Sequence, residues 1–495
     1  MKRHIEAFTD GVFDLCIIGG GITGAGAALD AASRGWRVAL IDKSDFASGT
    51  SSASSKLIHG GIRYLEYGHL GLVYEALHER GRLLANAPHL VQPLPFVLPV
   101  YAGQRMPAWK WRLGLTLYDI LAGQENIARS RRVSVRQLRS LSGLRLSGLT
   151  GGALYHDALM DDARVCITVL KTASRLGAVL ANYVQAVGFE KAGGKIVGVS
   201  AHDRIGCATF TIRCRAVLNA AGPWADSVCG LSGSGSEPQL QPTKGVHLIA
   251  PVLGHRFAFL LLHPRDGRVF FVIPWLGRTL IGTTDTVAVE GPDDLRVLPD
   301  EIEYLLEGYN HFFDHELRAA NVMGAFAGLR PLIRATPGKP SARSREFRLE
   351  RAASGLWTAL GGKYTTYRAM AESIVDAIGA NLGRREPCRT RTLRLVGAPD
   401  SPWPRYSSEM AASLQARYPI AADSAMHLLH RYGTETETVL ESIQAKNGFE
   451  RVHPDEPDLI VEQAYQRNEE MAMTAADLFL RRSRIGMYRP EVLKG

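Results

Sequence analysis

The chain has 495 residues, 22% charged and 46% apolar, a balance that excludes a disordered or low-complexity protein and suggests two to four folded domains. Its 58 Lys and Arg against 49 Asp and Glu leave a net charge of +9, compatible with anionic substrates or an anionic lipid surface. No nucleic-acid-binding motif or internal repeat accompanies that surplus, so no nucleic-acid partner is expected.

Two further exclusions concern location. No stretch reaches the ~18 uncharged apolar residues that a membrane-spanning helix needs. The N-terminal "MKRHIEAFTDGVFD" lacks the apolar centre of a secretion signal. The six cysteines form no C-x-x-C pair and no dense framework, so free thiols in a reducing compartment are expected.

In chain order, the first element is the apolar run of Leu15, Cys16, Ile17 and Ile18. A run without alternation suits a parallel strand covered on both faces. Gly19, Gly21 and Gly24 follow with G-x-G-x-x-G spacing: one glycine for the tight turn, one for close approach of backbone to a pyrophosphate, one for helix–strand packing. The small residues 25–32 read as a helix whose N-terminus presents N–H groups and a positive dipole end to phosphate. Residues 38–41 are a second strand, and Asp42 at its end is placed to accept from ribose hydroxyls. A bare glycine pattern is also found in ordinary turns, but strand, helix and acid here occur together, and dinucleotide binding is expected.

"SDFASGTSSASSKLIHGGIRYLEYG" (44–68) separates FAD from NAD. Small hydroxyl residues suit an extended segment along a second half of the cofactor, whereas an NAD domain would continue into another helix. A flexible surface loop is the alternative reading of that segment alone. "MPAWKWRLGLTLYDILAG" (106–123) has helical spacing. It reads either as a membrane-surface helix, with Trp109 and Trp111 at the interface, Lys110 and Arg112 toward headgroups, and Leu113, Leu117, Ile120 and Leu121 on one face, or as an ordinary core-packed helix. "CRAVLNAAGPWADSV" (214–228) is a strand ending in a glycine turn. "GLWTALGGKYTTYRAMAESIVDAI" (355–378) is strand, Gly-Gly, helix, with Thr365 and Thr366 as capping hydroxyls. Such a helix end can stabilise an anionic reduced flavin ring. The polar, proline-bearing stretch 384–406 is a linker, and helical periodicity resumes beyond it.

With "GGGITGAG", "TSSASSKLIHGGIRYLE", "EALHER", "APHL", "NAAGPWAD", "KGVHL", "IGTTDT", "GLRPL" and "GGKYTTYR", the chain from about 13 to 488 resembles the FAD-dependent, respiratory, quinone-linked glycerol-3-phosphate dehydrogenases. Thr23 stands where many relatives have asparagine, and Asp42 where many have glutamate. No EF-hand loop is present, so calcium control is not implied, and no metal site is expected.

The resemblance implies an α/β fold: a glutathione-reductase-type, Rossmann-like FAD-binding domain, an antiparallel-sheet substrate cap and a C-terminal helical domain. The expected limits are 10–85, 151–235 and 346–385 for the FAD domain, 86–150 and 236–345 for the cap, and 405–495 for the helical domain. Expected FAD contacts are Gly19, Gly21, Ile22, Thr23, Gly24, Asp42 and Lys43; Thr50, Ser51, Ser52, Ser55, Lys56, Leu57, His59, Gly60 and Gly61; Ala221 and Gly222; and Gly362, Lys363, Tyr364 and Thr365. Arg63, Tyr64, Arg330 and Arg345 would hold the substrate, where a phosphate tail calls for forked guanidinium groups. His247, Arg330 and Lys363 would be catalytic. His247 is the favoured proton acceptor only through the resemblance, since a lone histidine in a strand is more often a core residue. Lys363 would stabilise negative charge, and Asp285 is either an orienting group or a plain turn residue.

The expected reaction is oxidation of glycerol 3-phosphate to dihydroxyacetone phosphate. Electrons would pass to quinone, from a peripheral position on the cytoplasmic face of the inner membrane. A homodimer is compatible with this. Oxygen as acceptor, a sarcosine- or amino-acid-type oxidase, and a non-catalytic membrane-docked flavoprotein stand as alternatives.

Overall fold

The computed structural model describes residues 1–104, 108–141, 143–233, 239–254, 256–288, 290–334, 347–442 and 446–494. Two sheets organise it. The first has the strand order Phe347–Arg351, Leu356–Gly361, Thr209–Asn219, Phe13–Ile18, Val38–Ile41 and Val179–Ala181. All neighbours pair parallel except the antiparallel edge strand Phe347–Arg351. The parallel strands are buried on both faces, which is why Phe13–Ile18 and Val38–Ile41 carry almost unbroken apolar runs. The alanine-rich helix Ile22–Ser33 lies on this sheet between the helices Asp162–Arg175 and Tyr367–Leu382. Gly26 allows the last approach, since a Cβ there would lie 2.8 Å from the Tyr367 ring.

The second sheet has ten strands, among them Val91–Tyr101, Leu149–Met160, Thr243–Ala250, Ala258–Leu262, Val269–Trp275, Arg278–Gly282 and Gly324–Arg330. It is antiparallel except where Ala258–Leu262 runs parallel to Val91–Tyr101. The helix Pro299–Phe312 covers one face through Leu305, Tyr309 and Phe312. The other face packs against the helix Ala108–Ala122 through Trp111, Leu115 and Tyr118, and against C-terminal residues such as Phe479 and Ile485. The expected boundary at residue 151 falls inside Leu149–Met160, which belongs to this sheet. Its pairing with Val91–Tyr101 holds the whole strand there. The short strand Leu57–Ile58 also joins it, so the hydroxyl-rich segment passes from one sheet to the other.

The helix Ala108–Ala122 corrects one expectation. Trp111 is core, not interface, because 111, 115, 118 and 122 share the inward face. The outward face exposes Trp109, Leu113 and Ile120, each more than 60% accessible. Met106 of the expected segment lies outside the described residues. No helix among the described residues is long and apolar enough to cross a membrane.

The C-terminal helices Trp403–Arg417, Ala422–Tyr432 and Ile460–Glu470 build their own core from Trp403, Leu414, Leu428 and Tyr465. Buried charge fastens them to the first sheet's unit: Glu470 accepts from Arg164 and from Lys171, and Arg482 bonds both oxygens of Asp45 at 2.8 and 2.9 Å. All six cysteines are free.

Candidate active site

The glycine turn performs two of the tasks its spacing assigns, the tight turn at Gly19 and the close packing at Gly24. Gly19 has φ +113°, and a Cβ there would lie 2.5 Å from the Ala220 carbonyl oxygen. A Cβ on Gly24 would lie 1.9 Å from the carbonyl oxygen of Gly19, so the helix approaches the end of the strand only because residue 24 is glycine. Gly21 caps the helix with extended backbone, and the Ser51 hydroxyl accepts from the Ile22 N–H at 2.9 Å. Asp42 accepts from the N–H groups of Gly20 at 2.7 Å and Ser44 at 2.8 Å. Removal from water pushes its carboxyl up to about 6, against those two bonds.

A cavity of about 680 Å³ runs between the two sheets, within the usual range for a cofactor site. Its wall includes Gly19, Gly21, Ile22, Thr23, Asp42 and Lys43 from the first unit. Thr50, Ser51, Ser55, Leu57, His59, Gly60, Gly61 and Tyr64 line its centre. Ala221, Gly222, Gly362, Lys363, Tyr364 and Thr365 close the first sheet's side, and His247 and Arg330 the second. Thr50 Oγ1 donates to the Leu329 carbonyl at 2.6 Å, and the His59 N–H donates to Thr365 Oγ1 at 3.2 Å, so the segments brace one another. A helix N-terminus, a carboxylate with acceptor capacity left and a hydroxyl-lined channel onward suit an adenine dinucleotide with a second, flavin half.

On the substrate side, His247 lies on Thr243–Ala250 between two antiparallel partners, Arg278–Gly282 and Gly324–Arg330. It is 2% exposed, its ring stacks on Phe326 at 5.0 Å, and Nε2 is 2.9 Å from Ser55 Oγ. A Cβ on Gly282 would lie 2.2 Å from His247 Cδ2, so the facing strand is glycine where the ring passes. Burial, the Lys56 ammonium and the Arg330 guanidinium hold the imidazole well below the usual histidine range, hence neutral at neutral pH. Arg330 ends its strand with its fork held by Asp285 Oδ1 at 3.1 Å, Thr283 Oγ1 at 2.9 Å and the Thr284 carbonyl at 3.0 Å. Asp285 is therefore an orienting group. The guanidinium has room because residue 245 is glycine; a Cβ there would lie 2.3 Å from Nη2. The Lys363 ammonium sits 3.8 Å from the centre of the Tyr64 ring.

Four expected residues among those described, Gly24, Ser52, Lys56 and Arg63, are not on this wall. Arg63 is exposed: Ile62 and Leu65 of the turn Ile62–Tyr67 pack inward, Tyr64 faces the cavity, and residue 63 faces water. Ser52 lines a neighbouring cavity instead. Lys56 is fully buried behind the wall, its ammonium on Asp162 at 2.8 and 2.9 Å. Arg345 lies outside the described residues. Gly24 acts through packing beneath the turn. Residues that sequence reasoning missed include Gly245 and Gly282, which make room, Phe326, and the cavity lip where Lys43 bonds Asp293 at 3.0 Å and Trp224 Nε1 donates to the same carboxylate at 3.0 Å. A glycine within a strand, third in Thr243–Ala250 and last in Arg278–Gly282, was the available signal for the first two.

The family described as FAD dependent oxidoreductase matches residues 14–377, and the C-terminal domain of alpha-glycerophosphate oxidase matches residues 388–494. The chain is 36% identical to the aerobic glycerol-3-phosphate dehydrogenase of Bacillus subtilis, covering 97% of this chain and 88% of that protein. It is 36% identical to the glycerol-3-phosphate dehydrogenase of Synechocystis sp., covering 98% and 91%. The crystal structure of the glycerol-3-phosphate dehydrogenase from Bacillus halodurans complexed with FAD superimposes with a TM-score of 0.82 at 33% identity, covering 99% of this chain and 89% of that one. The chain belongs to the glycerol-3-phosphate dehydrogenase family of FAD-dependent oxidoreductases.

Proposed function

We propose that this chain oxidises sn-glycerol 3-phosphate to dihydroxyacetone phosphate and passes the electrons to membrane quinone. The observation that carries the substrate reading is one cavity wall presenting a neutral, buried imidazole beside a held guanidinium fork. FAD, when bound, supplies the hydride acceptor. Arg330 would bind the phosphate dianion with its planar fork, turning C2 of the substrate toward the flavin side. His247 would take the C2 hydroxyl proton at Nε2 by way of Ser55, whose Oγ, 2.9 Å away, donates to that nitrogen and would accept from the substrate hydroxyl. Repulsion from Lys56 and Arg330 keeps that nitrogen bare until the dianionic substrate arrives to balance the charge. Lys363 would steady negative charge on the substrate oxygen or the reduced cofactor.

The acceptor reading rests on the outward face of Ala108–Ala122. Trp109, Leu113 and Ile120 are exposed on one stripe, with Lys110 and Arg112 beside them. Such a face suits the headgroup region of an anionic leaflet, here the cytoplasmic face of the inner membrane. The same helix touches the flavin cavity, since Tyr118 accepts from the Gly60 N–H at 2.8 Å and donates to Asp157 at 2.7 Å. Oxygen as acceptor is the second reading, favoured by the C-terminal match to the alpha-glycerophosphate oxidase domain. Anaerobic mixing with glycerol 3-phosphate, glycerol and glycine in turn tests the substrate: only the first should bleach the flavin band. Reoxidation by a soluble quinone against dioxygen then separates the acceptors.

A further inference from the structure

Behind the cavity wall lies a cluster of buried charge that the proposed reaction does not use directly. Asp162, at the start of its helix, is fully buried. Its oxygens accept from Lys56 Nζ at 2.8 and 2.9 Å, from the Ser54 N–H at 3.0 Å, from Ser54 Oγ at 2.6 Å, and from Arg484 Nη2. Arg484 belongs to the C-terminal domain. It also bonds Asp161 Oδ1 at 3.1 Å and the Ser52 carbonyl at 3.4 Å, and Lys56 bonds that same carbonyl at 2.6 Å. Two cations from distant parts of the chain thus hold one turn of backbone from behind. Both occupy the left-handed region, Lys56 at φ +60° and Arg484 at φ +70°. Non-glycine residues persist there where the surroundings over-determine them.

The turn so held is the one that presents Ser55 to His247. Ser54 and Lys56 on either side point back to Asp162, and Ser55 between them points into the cavity, 2.9 Å from Nε2. A second route reaches the same imidazole: the Lys56 ammonium lies 4.8 Å from the centre of the Phe326 ring, on which His247 stacks. The hydroxyl of Tyr364, another cavity residue, donates to the Asp162 carbonyl.

We propose that Arg484 is a positioning residue for the reaction: through Asp162 and Lys56 the C-terminal domain fixes the Ser55 hydroxyl against His247, so that Arg484 completes the catalytic site from outside the two sheets. This rests on the reading of His247 as the proton acceptor. It gives the C-terminal domain a catalytic task in addition to its own core, and it accounts for two charged residues that face neither solvent nor substrate.

The test uses full-length holoenzyme and anaerobic flavin reduction by glycerol 3-phosphate across pH. Charged groups facing His247 are Lys56 from the turn, Arg330 from the neighbouring strand and Asp162 from the helix. A hydroxyl donated to Nε2 favours the neutral imidazole, so its loss raises the pH below which the rate falls. Ser55→Ala and Arg484→Met should each slow flavin reduction about tenfold or more and move the acid limb to higher pH. Substrate affinity, held by Arg330, should stay within about twofold. The double variant should be within about twofold of Ser55→Ala alone, since both remove one hydrogen bond. Arg484→Lys should recover part of the rate, and it carries the test if Arg484→Met does not retain FAD. The proposal is overturned if Arg484 variants lower only the melting temperature, or if the two losses multiply. His247→Ala separates the readings: no effect on reduction removes the base assignment itself, whereas a large effect beside silent Arg484 variants removes the positioning role alone.

Discussion

Gly282→Ala probes the imidazole without altering any charged group. The added Cβ would lie 2.2 Å from His247 Cδ2, 2.7 Å from Cγ and 2.9 Å from Nε2. Ordinary carbon–carbon contact is about 3.6 Å, so the ring must move by roughly 1.4 Å. It has nowhere cheap to go. Phe326 stacks on the ring, strands pair on both sides of residue 247, and the ring is buried. Displacement also breaks the Ser55 hydrogen bond, about 1 kcal/mol, on top of roughly 1–3 kcal/mol for overpacking. Misplacement on this scale costs on the order of 100-fold in rate. In stopped-flow mixing without oxygen, Gly282→Ala should hold FAD normally, bind substrate through Arg330 nearly normally, and reduce its flavin about 100-fold more slowly. A variant that keeps its FAD and reduces it at the parent rate would refute the placement of His247 at the reacting carbon.

Arg330→Lys keeps the charge but loses the fork that Asp285 and Thr283 orient. It should cost roughly 1–3 kcal/mol of substrate or transition-state interaction, read from kcat/KM. Asp42, with its carboxyl raised to about 6 by burial, should receive the ribose hydroxyls better when ionised. FAD affinity, measured by flavin fluorescence quenching, is therefore expected to fall about tenfold per pH unit below about 6 and to hold steady above. Asp42→Asn should flatten that dependence, and a parent protein without it contradicts the contact. Trp109→Glu with Leu113→Glu should abolish flotation with anionic liposomes and quinone reduction while sparing a soluble dye acceptor; a double variant that still floats would exclude this helix as the anchor.

Local demands were readable and long-range ones were not. Gly19 and Gly24 were legible because the turn dictates glycine from within six residues. In Ala108–Ala122, both faces carry apolar residues at helical spacing, so periodicity alone left open which one is core. Packing of Trp111, Leu115 and Tyr118 on the second sheet decides it. Lys56 sits in a motif of cofactor-binding residue types. Its ammonium nonetheless turns away, because Asp162 and Arg484, 106 and 428 positions distant, meet it only in the folded chain. Arg63 and Tyr64 are adjacent, and a turn of three residues per revolution lets one of them face the cavity and the other water. The pairing of Ser55 with His247 across 192 positions had no local signature at all.

The most direct test is a single anaerobic turnover with sn-glycerol 3-phosphate carrying deuterium at C2, following the flavin band and quantifying the ketone formed. Hydride removal from C2 with proton transfer to His247 predicts one dihydroxyacetone phosphate per flavin bleached and a severalfold slower bleaching with deuterium. Bleaching without that product, or no bleaching by this substrate at all, would contradict the assignment.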